Sequence, residues 1–195
     1  MRASTHRVYL RPMDDAEAPR HDAALRKAQH KLAALGHLGP QAGAGATIWA
    51  RVVQDELDWH ESARERFGTD PNLETWERLI GTTLMLAVAI DQVLAFERRV
   101  RGLTGDAALA RARERFDAVG PNAEDLRDLV AHLDAWGNGG GTILALGDDQ
   151  LNLRTVAEAA VELAQEVERV RAKYLQHAVE DTQAAFKRRW GMPPE

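Results

Sequence analysis

Arg127, Asp128 and His132 stand together in the run Arg127-Asp128-Leu129-Val130-Ala131-His132, and their residue types move protons and hold charge. An unperturbed imidazole titrates near about 6.5, so His132 suits proton transfer close to neutral pH. On a helix, residues four apart meet. Asp128 would then orient the His132 ring and favour its charged form. Arg127 adds a permanent cation. A second arginine-to-histidine run, Arg171 to His177, lacks this character because Ala172 follows the arginine.

The segment around these residues reads as a helix over 123–136. Asn122 after Pro121 is a capping residue, and Glu124 and Asp125 face the positive helix end. Gly137 and the glycines at 139–141 end the helix. Leu126, Leu129, Val130, Leu133 and Trp136 recur at helical spacing and form an apolar stripe. Arg127 and His132 flank that stripe, about 140° apart on the helical wheel.

The six residues resemble the signature of the HEPN superfamily, helical domains that are often metal-independent ribonucleases. The resemblance covers the motif and an all-helical layout, at best over residues 73–189. Ala131 stands where many of those proteins carry a glutamate, and Asp134 matches an acidic position downstream. The resemblance implies cleavage of single-stranded or loop RNA by attack of a ribose 2′-hydroxyl, with no cofactor and no metal. It assigns proton transfer to His132, stabilisation of phosphate charge to Arg127 and orientation to Asp128. It also implies a homodimer whose two motif helices share one site, a role in toxicity or defence, and a protein antitoxin or regulator as partner. The competing class is a non-catalytic helical dimerisation or interaction protein with a degenerate motif.

Other constellations are weaker. Glu56 and His60 share a helix face at i,i+4, but no Glu-x-x-His pair occurs in the chain, so a di-iron carboxylate bundle is unsupported. The expectation for His60 is a solvated acidic face. Asp91 interrupts an apolar helix, where an unpaired carboxylate is costly; an ion pair with an arginine of a neighbouring helix is expected. Thr82 and Thr83 are expected to bond backbone carbonyls. The charged run from Arg111 to Arg115 reads as a solvated face. No Walker loop, dinucleotide-binding glycine pattern or zinc motif is present.

Composition sets the frame. A chain of 195 residues buries a substantial core. Cysteine is absent, which removes disulfide and thiol chemistry and fits a cytoplasmic location. The net charge of −5 weighs against broad nucleic-acid binding while leaving room for a local basic cleft. The basic N-terminal residues lack an apolar stretch, so no secretory signal is expected there. The longest apolar run, 79–90, is short for a bilayer and reads as a buried helix, so no membrane partner is expected.

The expected fold is all-α: a bundle of five or six helices, HEPN-like, with a small β-hairpin near 142–154. Residues 1–20 read as an irregular arm and 21–190 as one helical domain. Helices are expected over 22–35, 48–67, 73–101, 106–119, 123–136 and 155–190. The third is apolar around most of its circumference and should be the centre of the bundle.

Overall fold

The structure is a computed structural model and describes residues 18–39, 45–119, 144–146, 149–190 and 192. Among these the fold is an all-α bundle. Its helices are α1 (Ala18–His37), α2 (Ala46–Thr69), α3 (Leu73–Thr104), α4 (Ala107–Asp117) and α5 (Leu153–Arg189). Between α4 and α5, two three-residue strands, β1 (Leu144–Leu146) and β2 (Asp149–Leu151), pair antiparallel with Leu144 opposite Leu151. The expected helix over 123–136 lies outside the described residues. The chain forms two compact units. The larger spans 38–172 and the smaller combines α1 with α5 from Lys173 onward.

In the larger unit each local signal turns the chain back on itself. Asn72 begins α3 with a reciprocal cap: its Oδ1 accepts from the Thr75 backbone N–H at 3.0 Å, and Thr75 Oγ1 accepts from the Asn72 backbone N–H at 3.1 Å. Phe67 and Trp76 pack across this turn with ring centroids 5.4 Å apart. A turn this short makes α2 and α3 antiparallel neighbours. At the far end of α3, Gly105 takes a left-handed φ of 62°, and its N–H bonds the Arg101 carbonyl at 2.8 Å. Asp106 then caps α4 by accepting from the Ala108 N–H at 2.8 Å.

The core lies where α3 meets its neighbours. Leu86, Ile90, Val93, Leu94 and Val100 of α3 are fully buried, with Val53 of α2, Leu109 and Phe116 of α4, and Val156 and Leu163 of α5. Over an 18-residue window α3 has a mean hydropathy of 1.9, enough in length and composition to cross a membrane, yet half of that window is buried inside the fold. It is packed as the central helix of the bundle. Arg171 closes one edge: its guanidinium bonds Glu168 and leaves no room for a side chain at Gly39, where a Cβ would meet Nη1 at 2.8 Å.

The smaller unit is an antiparallel pair. Arg189 donates to Asp22 at 2.5 Å near one end, and Lys31 lies 5.1 Å from the Tyr174 ring centre towards the other. Leu35, Ala178 and Ala185 are its buried apolar residues.

Candidate functional site

Arg127, Asp128 and His132 lie outside the described residues, as do Ala131 and Asp134. The frame that leads to them is described. α4 closes with the Ala118 N–H on the Glu114 carbonyl at 3.1 Å and the Val119 N–H on the Phe116 carbonyl at 3.0 Å. Val119 is the last described residue before the motif. It also lines a half-open cleft of about 220 Å³ between α4 and α5, with Arg115 and Phe116 on one wall and Thr155, Glu158 and Glu162 on the other. One cation and two carboxylates give the cleft mixed charge.

His60 departs from expectation. It is 3% exposed and Glu56 is 7% exposed, so neither belongs to a solvated face. The reason is helical spacing. Ala46, Ala50, Val53, Glu56, His60 and Ala63 recur every three or four residues and form one buried stripe of α2. Thr83 Oγ1 donates to the Leu79 carbonyl at 2.8 Å and lies 3.0 Å from His60 Nδ1. A hydroxyl has one proton, so with that proton on Leu79 the imidazole Nδ1–H is the donor to Thr83. This network assigns the neutral Nδ1–H tautomer and leaves a bare lone pair on Nε2. Among the described residues Nε2 has no hydrogen-bond partner. Burial pushes the His60 pKa down, Arg64 adds to that, and Glu61 opposes it. Burial pushes the Glu56 carboxyl up, with Asp55 adding repulsion. The pair is therefore a buried base beside a reluctant acid.

A second buried charge has no counterpart in the sequence reading. Glu97 is 0% exposed. Arg101 Nε of the same helix lies 2.7 Å from its Oε1, and Arg113 of α4 reaches its Oε2 at 3.5 Å. Arg113 also bonds Asp117 at 2.7 Å, so the charged run on α4 is not wholly a solvated face. The signal was available: Val93, Leu94, Glu97 and Val100 sit at helical spacing, so the glutamate lies on the buried stripe. Asp91 is corrected in the opposite direction. Its side chain is 40% exposed and its arginine, Arg98 at 3.8 Å, belongs to the same helix rather than a neighbour. Thr82 and Thr83 bond backbone carbonyls as expected.

Among the described residues no group of three or more His, Cys, Asp or Glu side chains could hold a metal ion. Comparison with protein-family models, with curated proteins and with solved structures finds no match.

Proposed function

We propose that this chain is a metal-independent endoribonuclease of HEPN-like type, working as a cytoplasmic homodimer in a toxin or defence role under a protein antitoxin or regulator. The observation that carries the reading is the run Arg127-Asp128-x-x-x-His132, and the all-α bundle is the kind of fold that goes with it. In the reaction, an imidazole takes the proton of a ribose 2′-hydroxyl as its oxygen attacks the adjacent phosphorus. The bond from phosphorus to the 5′ oxygen breaks, and that oxygen leaves as a hydroxyl with a proton from a second imidazole. Arg127 stabilises the extra negative charge of the phosphorane-like transition state. Asp128 orients the ring of His132. One motif supplies one imidazole, so the second comes from the partner's His132, and a two-fold dimer is the simplest way to bring it there.

The chemistry fixes the product. Single-stranded RNA incubated with the protein in excess chelator should yield fragments ending in a 2′,3′-cyclic phosphate and a 5′-hydroxyl, while a deoxy copy of the same sequence stays intact. Fragments ending in 3′-hydroxyl and 5′-phosphate, or cleavage that stops in chelator, would contradict the proposal. The second reading, a non-catalytic helical interaction protein, draws on Ala131 in place of glutamate and on exposed Trp59, at 61% exposure, on α2. It predicts no cleavage by any form of the protein.

A further inference from the structure

The net charge of −5 conceals a division between the two units. Residues 38–172 hold fourteen Lys or Arg against twenty-three Asp or Glu, a net of −9. Residues 1–37 and 173–195, which make up the smaller unit, hold eleven Lys or Arg against seven Asp or Glu, a net of +4. Such asymmetry within one chain points to a polyanionic partner for the basic part.

The same unit exposes aromatic rings. Phe186, on the last turn of α5, is 46% exposed and Trp190, one residue past its end, is 49% exposed, with ring centroids 6.1 Å apart. Val179, seven residues before Phe186, shares their face. The buried residues of this half-helix, Ala178 and Ala185, each sit one position earlier, so the aromatic face lies about 100° away from the packed one. Lys187, Arg188 and Arg189 lie between the two rings in sequence and project at 100° steps around the helix, and the Arg189 guanidinium lies 5.5 Å from the Trp190 ring centre. The bond from Arg189 to Asp22 brings the start of α1, with exposed Arg20, to this end of α5.

Helix electrostatics accounts for only part of this. Three cations in the last turn of α5 offset its macrodipole. The exposed rings of Phe186 and Trp190 are not explained by it.

We propose that the smaller unit binds single-stranded nucleic acid, with bases stacking on Phe186 and Trp190 and phosphates held by the cations around them. Stacking needs unpaired bases, which a single strand offers and a duplex does not, and the cations around this end of the helix supply phosphate contacts. A membrane surface fits less well, because an interfacial helix buries a continuous apolar face and this one offers three residues over three turns. The surface would hold a strand whether or not Arg127 and His132 cut it.

The test is fluorescence anisotropy with labelled oligouridylate and oligodeoxyuridylate of roughly 12 nucleotides, in chelator at low salt. The deoxy strand has no 2′-hydroxyl, so its binding is read free of any cleavage. The intact protein should bind both strands, with affinity falling as salt rises. Tighter binding of the ribo strand would name RNA as the ligand, and equal binding would extend the site to single strands of either sugar. Phe186→Ala with Trp190→Ala should weaken binding at least about tenfold. Arg20→Gln with Arg188→Gln should flatten the salt dependence instead; all four residues are exposed, and melting curves should be unchanged. The proposal is overturned if the intact protein binds neither strand, if it binds duplex DNA as tightly, if the aromatic variant binds as well as the parent, or if anionic vesicles are bound in place of oligonucleotides.

Discussion

At the scale of single residues, His60 shows how burial converts an ordinary side chain into a pH-dependent one. A buried acceptor with no partner costs about 1–3 kcal/mol, and the neutral Nδ1–H tautomer keeps that cost to one lone pair. Protonation adds a charge with Thr83 of α3 on one side and Arg64 of α2 nearby, while Glu56 and Glu61 are the neighbouring carboxylates and Glu61 is itself bonded by Arg154 of α5. The folded pKa is depressed, so the unfolded chain takes up the proton first as pH falls. The stability owed to neutral His60 is complete above about 6.5, the unfolded value, and is lost as pH falls through the folded value. Denaturation midpoints at about pH 8 and about pH 5.5 should therefore differ more for the parent than for His60→Gln, which keeps the polarity and removes the titration. An identical pH dependence in the two proteins would show that His60 does not titrate on folding.

At the scale of elements, Glu97 ties α3 to α4. It is buried, and its two arginines come from the same helix and from the next. Removing one member of a buried charged set costs about 3–5 kcal/mol, because the remaining charge loses its partner. Arg113 retains Asp117, so Glu97→Ala should fall near the lower end, about 3 kcal/mol, by urea denaturation. A change below about 0.5 kcal/mol, the scale of an exposed pair, would mean the ion pair is solvated. The helices themselves were legible in the chain. Asn72 after a proline, the glycine at 105 and the long apolar run each produced the expected boundary within a few residues, because caps and breakers act locally. What periodicity already contained was passed over where residue type spoke louder. Glu56, His60 and Glu97 occupy buried positions on their helical wheels, but charged and polar side chains read as surface. Asp91 erred the other way: its place in an apolar stretch suggested burial, yet it faces the exposed side of α3. Which partner neutralises a buried charge depends on tertiary packing, and no spacing rule along the chain supplies Arg113 to Glu97.

At the scale of the whole molecule, the proposed chemistry divides with the charge. A basic, aromatic-bearing unit would recruit single strands, and an acidic bundle would carry the motif that cuts them. The basic unit is assembled from α1 and the end of α5, which lie more than a hundred residues apart in the chain. That pairing is invisible to composition, since opposite excesses cancel in the net charge. The motif itself was legible only as six residues, and Arg127, Asp128 and His132 lie outside the described residues. The proposed cleavage depends above all on the His132 imidazole. The most direct test is the initial rate of cleavage of one single-stranded RNA, in excess chelator, by the parent protein and by His132→Ala at equal concentration. Loss of the proton-transfer group predicts a rate at least about a hundredfold lower, with an unchanged melting curve. Equal rates for the two proteins would contradict it.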